Sequence, residues 1–515
     1  MSHQAEALER IRARPRKPTG EDVFALLMEM GTGKSRVVLE DYQSRCAGGL
    51  DNLFVLAPAG SYRNWFEDRP GVPSEITLHL DPELRRRLAV AVWGPKAAHR
   101  DSRAAALSYR GNRALFMNVE ALSSGTKAMD YAKAFLATGP TMMVVDESTT
   151  IRGNSTRRKR VVKLGELAYS RRIASGLVSP KSPMDLFWQF WFLDWRILGM
   201  QSYVAFQNRY AEVDRICYVP RNILENKLLQ RRPGAAVGAM SRDQILATLQ
   251  QIGVYVPVVQ KIREFKNLGD LQQKVAPYSY RVLKSDCLDL DPKTYALRHV
   301  DLTAEQARMY REIKQNAMTV VAGQHHVTAT MVVTQMIRMH QVACGHVVDE
   351  LGVTHDVPSK RIDEIVDLLG DHPRKAVVWV CYTHELQKVA RRLEGEFGPR
   401  SVARYWGGNV QARAGEEASF VSDPECRFMV ATQAAGGRGN NWTCADLVIY
   451  AANSYDLEMR IQSEDRCHRK GQKMPVTYVD LVAPGTVDER IIQSLRNKID
   501  LAAQITGEDY REWLV

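Results

Sequence analysis

Short apolar runs, each too brief for a helix and separated by amphipathic stretches, constrain this chain more than any other feature of its sequence. Five stand in the first third, at 23–27, 53–57, 114–117, 141–145 and 172–174, and four more at 376–380, 427–431, 446–450 and 476–481. Unbroken apolarity over so few residues means burial on both faces of a strand, the environment of a parallel sheet covered by helices on each side. The alternation therefore predicts an α/β fold with two parallel sheets, one in each half of the chain. Between them, residues 185–300 read as mostly helical, with Phe187, Trp188, Phe190, Trp191, Phe192 and Trp195 clustered near the start. Trp188, Trp191, Phe192 and Trp195 fall at i, i+3, i+4 and i+7, which predicts one helix face in the core. Residues 219–245 have no clear period and read as an insertion or flexible loop.

A length of 515 residues leaves room for two large domains or three smaller ones. Hydrophobic residues at 45% and charged residues at 25% exclude wholesale disorder, collagen and a coiled-coil rod. Lys and Arg number 70 against 59 Asp and Glu, a formal net charge of +11 that favours a polyanionic partner, nucleic acid first. The first 17 residues are polar and basic. No apolar run of about 18 residues follows, so neither secretion nor membrane spanning is expected. Eight cysteines without a C-x-x-C pair read as thiols of a reducing cytoplasm.

The chemistry concentrates at the ends of the apolar runs. Met28-Glu29-Met30-Gly31-Thr32-Gly33-Lys34-Ser35 follows the first run and opens a helix expected over 36–42. A glycine-rich turn there lets backbone N–H groups wrap phosphate oxygens at a helix N-terminus. Lys34 would neutralise the β/γ charge and Ser35 would ligate Mg²⁺. Met28 stands where a strict phosphate-loop pattern has its first glycine. The fourth run ends in Asp146-Glu147, two carboxylates at the C-terminal edge of a sheet, where open α/β sheets bind ligands. Asp146 can hold the Mg²⁺ shell and Glu147 can polarise a water for attack on a γ-phosphate. In the second half, Arg466 and Arg469 lie at i and i+3 on an expected helix, able to reach across a cleft as arginine fingers.

Taken in order, these motifs resemble the superfamily-two helicases, and within them the Swi/Snf-type DNA translocases, over nearly the whole chain. Asp146-Glu147-Ser148-Thr149 looks like their D-E-S-H box, and Gln462-x-x-Asp465-Arg466-x-His468-Arg469-x-Gly471-Gln472 is similar to the signature of that subgroup. The resemblance implies two tandem RecA-like lobes with a helical insertion between them. Residues 1–185 would be the first, ATP-binding lobe, 186–300 the helical insertion and linker, and 301–515 the second lobe with its C-terminal helix. It implies ATP and Mg²⁺ as cofactors, with Gly31, Thr32, Gly33, Lys34, Ser35, Gly437, Gly439 and Gln462 around the nucleotide. Gln4 occupies the place of a glutamine that reads adenine in related enzymes. By the same resemblance Asn64, Trp65, Asn118, Thr432 and Asn441 fall in segments that touch DNA. Two departures stand out. Thr149 replaces the box histidine, and a T-G-T-P coupling motif appears as Ser175-Gly176-Leu177-Val178.

Eight basic residues between Arg152 and Arg172 face a single acid, Glu166. Arg152, Arg157 and Arg158 are the expected phosphate contacts along a duplex groove. The expected function is a double-stranded DNA translocase driven by ATP hydrolysis between two lobes. A strand-separating helicase on single-stranded DNA or RNA shares the same engine, and an ATP-switched DNA-binding protein without motor activity is the third reading. Only short ends lie outside the lobes, which would suit a bare motor in a microbial or viral setting. Protein partners, pathway and polarity are not readable from the residues.

Overall fold

Alternate residues of a doubly buried strand must enter different cores, and β1 (Asp22–Met28) does so. Val23, Ala25 and Leu27 pack into one apolar cluster, Phe24, Leu26 and Met28 into the other. A computed structural model of the chain describes residues 2–13, 22–68, 72–153, 155–176, 182–216, 221–254, 256, 259–322, 329–436 and 440–506. Beside β1, the first sheet contains β2 (Asn52–Ala57), β3 (Ala89–Val92), β4 (Arg113–Asn118), β5 (Thr141–Asp146) and β6 (Ser170–Ala174). Next come β7 (Ala211–Ile216) and β8 (Val259–Phe265), an antiparallel pair outside the sheet, before β9 (Ser279–Val282) returns to pair with β1. The order is β3-β4-β2-β5-β6-β1-β9, all parallel.

The second sheet starts with β10 (Thr294–His299). A small hairpin of β11 (His346–Val348) and β12 (Thr354–Asp356) follows. The sheet then continues with β13 (Lys375–Val380), β14 (Val402–Tyr405), β15 (Phe428–Thr432), β16 (Ala445–Tyr450) and β17 (Thr477–Val482). Its order is β10-β17-β16-β13-β15-β14, again parallel throughout. On β13, Ala376, Val378 and Val380 enter one core while Val377 and Trp379 enter the other. The α/β class with two parallel sheets is therefore present as expected. No helix among the described residues is long and apolar enough to cross a membrane.

The middle of the chain differs from its sequence reading in three ways. Residues 186–300 carry β7 to β10 as well as helices, and β9 belongs to the first sheet. The supposed loop at 219–245 falls largely on a helical hairpin, Arg221–Arg231 and Arg242–Gln251. Its seam is Leu224 and Leu228 against Ile245 and Leu249, two i, i+4 pairs that form a core of their own. In helix Leu186–Leu198 the fully buried aromatics are Phe187, Phe190 and Phe192, whereas Trp188, Trp191 and Trp195 are half-buried. Asp194 is non-helical, so the i+7 spacing to Trp195 crosses a kink.

Candidate active site

The phosphate-type loop joins β1 to helix Lys34–Cys46. Gly31 and Gly33 sit at φ +83° and +91°, the left-handed region where a side chain is strained. A Cβ at Gly33 would come within 2.1 Å of Gln4 Nε2, so the loop and the N-terminal helix Ser2–Ala13 are packed to the limit of a glycine. Gln4 Nε2 and His3 Nε2 both donate to the Thr32 carbonyl, at 3.1 and 2.9 Å. Gln4 Oε1 is buried with no hydrogen-bond partner among the described residues. Thr32 Oγ1 donates to the Glu29 carbonyl at 2.7 Å. Lys34 Nζ lies over the loop, donating to the carbonyls of Met28 at 3.0 Å and Glu29 at 3.3 Å. Ser35 is half-buried in the first helical turn.

Asp146 ends β5, on the same edge of the sheet as the loop. Burial pushes its carboxyl up, with Lys34 the main opposing charge. Glu147 follows at φ +48°, a left-handed conformation shared by only one other non-glycine residue among those described, Asn267. Such a backbone costs free energy, about 1–3 kcal/mol, and persists where surrounding contacts over-determine it. Across the cleft, helix Leu457–Glu464 and the turn after it deliver the cations. Arg466 is buried, its Nε donating to the Gln462 carbonyl at 2.8 Å and Nη1 to the Asn440 carbonyl at 2.9 Å. Its Nη2 stands 4.0 Å from Met30 Sδ in the loop of the other lobe. Burial and the neighbouring Arg469 push this guanidinium down to about 10, so it is still charged at neutral pH. Arg469 Nη1 shares the Asn440 carbonyl at 2.9 Å. Glu29, Met30, Glu147, Gly176, Glu458, Ile461 and Gln462 line one narrow void between the lobes.

The structure thus brings Lys34, Glu147, Gln462 and Arg466 together, with Gln4, Gly31, Thr32 and Gly33 beneath them. Gly437 and Gly439 lie outside the described residues, as do Leu177 and Val178. Several residues expected on the nucleic-acid face are placed otherwise. Trp65 is buried and its Nε1 donates to Asp146 Oδ2 at 3.1 Å, inside the site rather than on the track. Asn118 caps the turn Val119–Leu122, its Oδ1 accepting from Ala121 N–H. Arg158 is buried with its guanidinium 3.3 Å from the Trp188 ring centre, a stacking position closed to phosphate. Arg152 donates to Glu458 Oε2 at 3.0 Å. Thr432 is buried at the end of β15, and Asn64 is half-buried in the turn Tyr62–Trp65. Arg157 and the exposed Asn441 keep open surface. Arg152 and Arg157 border a cavity of about 460 Å³ together with Glu120, Ser123, Thr149, Thr150, Ser155, Thr156 and Glu458.

Sequence reasoning missed the residues that join the lobes. Lys284, just after β9, gives its backbone N–H to Glu29 Oε2 at 2.8 Å. Its Nζ donates to Asp465 Oδ1 at 2.6 Å and to the His468 carbonyl at 2.8 Å. Lys293, just before β10, donates to Glu464 Oε2 at 2.9 Å. Thr149 Oγ1 donates to Glu458 Oε1 at 2.9 Å. A single lysine in a linker carries no spacing signal, and the two acids of the 462–472 signature were read as part of the arginine segment rather than as its anchors.

Residues 360–471 match the helicase conserved C-terminal domain family. YwqA of Bacillus subtilis is 26% identical over 267 residues, which is 49% of this chain and 28% of YwqA. Protein CHROMATIN REMODELING 4 of Arabidopsis thaliana is 26% identical over 259 residues, 47% of this chain and 11% of that protein. This chain therefore spans well under half the length of these relatives. A solved structure of the Sulfolobus solfataricus SWI2/SNF2 ATPase core in complex with dsDNA matches over 98% of this chain and 93% of its own, with 19% identity and a TM-score of 0.37. Part of the second lobe thus matches a helicase C-terminal domain, and about half of the chain is similar to a putative ATP-dependent helicase/translocase and to a protein named for chromatin remodelling.

Proposed function

We propose that the cleft binds and hydrolyses ATP and that its opening and closing move the protein along double-stranded DNA. The observation that carries this reading is the approach of Arg466, from the second lobe, to the loop and to Glu147 of the first. In-line hydrolysis needs a cradle for the phosphates, a group that orients water and a cation for the developing charge. Backbone N–H groups of 31–35 and Lys34 supply the cradle once the ammonium leaves the Met28 and Glu29 carbonyls. Glu147 orients the water, and Arg466, seconded by Arg469, stabilises charge on the transferred group. Gln4 Oε1 is a buried acceptor in want of a donor, which the exocyclic amine of adenine offers. Ser35 and Asp146 are hard oxygen donors at the loop and strand end. That set fits Mg²⁺, which binds through one or two protein oxygens together with substrate phosphates. Held by Ser35 and Asp146, the ion would supply positive charge against the phosphates.

Duplex DNA as the track rests on the basic surface and on the relatives. Arg157, Lys159 and Lys163 follow the carboxylate pair on helix Thr156–Gly165, and the hydroxyl-rich cavity beside Arg152 and Arg157 suits backbone phosphate without base choice. One relative is named for chromatin remodelling. The test is steady-state ATP turnover with duplex DNA, single strands and RNA, with Lys34→Ala as control. Duplex stimulation together with triplex displacement, and no unwinding of a forked duplex, is the expected result. Best stimulation by single strands or RNA, or normal turnover in Lys34→Ala, would overturn it.

A further inference from the structure

Glu458 is a buried carboxylate for which the nucleotide site as described so far has no task. It is the second residue of helix Leu457–Glu464, and Asp456 caps that helix by accepting from Glu458 N–H at 3.0 Å and Met459 N–H at 3.2 Å. The helix N-terminus favours a negative charge there, and the cap fixes the backbone from which the side chain crosses to the other lobe. Its Oε1 accepts from Thr149 Oγ1 at 2.9 Å and from Gln462 Nε2 at 3.2 Å, and its Oε2 from Arg152 Nη1 at 3.0 Å.

We propose that Glu458 is a positioning residue for hydrolysis, through which the second lobe fixes the strand end that carries Glu147 and aligns it with Arg466; this rests on the ATPase reading above. Thr149 lies in the turn Ser148–Ile151, which is closed on Glu147 itself, since the Glu147 carbonyl accepts from Thr150 N–H at 3.0 Å. A left-handed glutamate needs such external restraint to stay in one place. From Glu458 the path continues through Gln462, whose carbonyl accepts from Arg466 Nε at 2.8 Å. Base and cation are thus joined by a continuous set of bonds, Thr149 to Glu458 to Gln462 to Arg466, that does not pass through the nucleotide. Thr149, the departure from the box histidine, is the residue whose hydroxyl makes the crossing. No bond in this path is made to the backbone of 31–34, so breaking it at Glu458 leaves the phosphate cradle intact.

The experiment measures kcat and KM for ATP of the full chain with duplex DNA in a double-mutant cycle. Glu458→Ala is expected to lower kcat by about 10- to 100-fold, the cost of a misplaced catalytic group, with KM within about twofold. Glu458→Gln, which keeps an acceptor for Thr149 but loses the charge facing Arg152, should fall between. Thr149→Val should cost several-fold in the wild type and nothing further beside Glu458→Ala. If Glu458→Ala does not fold, the same cycle is run with Glu458→Met, which keeps the volume but offers Thr149 no oxygen acceptor, and the Thr149→Val loss must again disappear. Wild-type kcat in Glu458→Ala, or an equal Thr149→Val cost in both backgrounds, overturns the assignment. Absence of turnover in the wild type would instead remove the ATPase reading.

Discussion

Two polar clusters tie the lobes together, one at the linker and one at the mouth of the cleft, and they are built for different tasks. At the linker, Lys284 and Asp465 have side chains only 4% and 1% exposed. Burial alone would push Asp465 up, but Lys284 and Lys293 outweigh it and hold the carboxyl below its ordinary value. Glu464 is held down in the same way, by Lys293 and Arg460, and also accepts from Tyr295 Oη at 2.8 Å. At the mouth, Arg152 is 18% exposed and borders the large cavity. The Arg152 end of its ion pair with Glu458 borders that cavity, so water can take over the guanidinium when the pair breaks. The linker cluster has no such alternative, so opening it would strand charges. Under the proposed function, the first would serve as a fixed anchor and the second as the contact that is made and broken as the cleft works.

The largest effect is expected where the two clusters meet, at Arg466, one residue from the anchor acid and one helix turn from Gln462. Arg466→Ala should lower ATP turnover by about 10³-fold or more, in the range of a lost arginine finger. Single-turnover hydrolysis with separately measured nucleotide affinity checks it. A drop in affinity alone would make Arg466 part of the anchor. The anchor itself is sharpened by Lys284→Ala, which leaves Asp465 buried without its nearest partner. A loss of about 3–5 kcal/mol in urea unfolding is expected, with much of it recovered in a Lys284→Met, Asp465→Leu pair of similar volume.

Acid should separate the clusters next. His340, His346 and His468 of the second lobe are each pushed down to about 4 by burial. Between their unfolded values near 6.5 and the folded values near 4, the unfolded chain binds protons that the folded one refuses, so stability falls as pH falls through that window. Glu385, raised by burial to about 7, binds its proton in the folded state and works in the opposite direction between about 7 and 4.5. Three imidazoles outnumber the two carboxyls that burial raises, Glu385 and Asp146, so net loss of stability below about pH 6.5 is expected. The anchor acids, held low, stay ionised through it. Thermal midpoints at pH 7.5, 6 and 5 check the sign; a midpoint that rises on acidification would show that the raised carboxyls dominate.

What was legible in the sequence follows from burial. All nine runs read as strands are interior strands of the two sheets, covered on both faces and hence unbroken in apolarity. The four missed, β3, β9, β10 and β14, are the sheet edges. Edge strands such as Ser279–Val282 and Thr294–His299 interleave polar residues and leave no run to find. The glycine-rich turn, the carboxylate pair and the arginines can be picked out in the sequence because each is a local pattern on one element. The interlobe bonds were not, because Thr149 and Glu458 or Lys284 and Asp465 are brought together only by the fold. Trp65 and Arg158 were misread for a related reason: aromatic and guanidinium groups bury as readily as they bind nucleic acid, and only packing decides which.

The smallest effect on stability should come from the mouth. Arg152→Ala removes one donor from Glu458, which keeps Thr149 Oγ1 and Gln462 Nε2. The pair is largely buried, with side chains 18% and 6% exposed, but the two remaining donors keep Glu458 hydrogen-bonded, so the loss in unfolding should stay below the ~3–5 kcal/mol of a stranded buried charge. Under the proposed DNA-stimulated ATPase, turnover with duplex DNA should nevertheless fall, because the substitution loosens Glu458 and removes a cation from the border of the cavity. Lys284→Ala and Arg152→Ala then form opposite profiles, one costly to the fold and the other to stimulated turnover. Should Arg152→Ala destabilise the protein as much as Lys284→Ala while leaving stimulation intact, the mouth is a second anchor and the lobes are held closed from both sides.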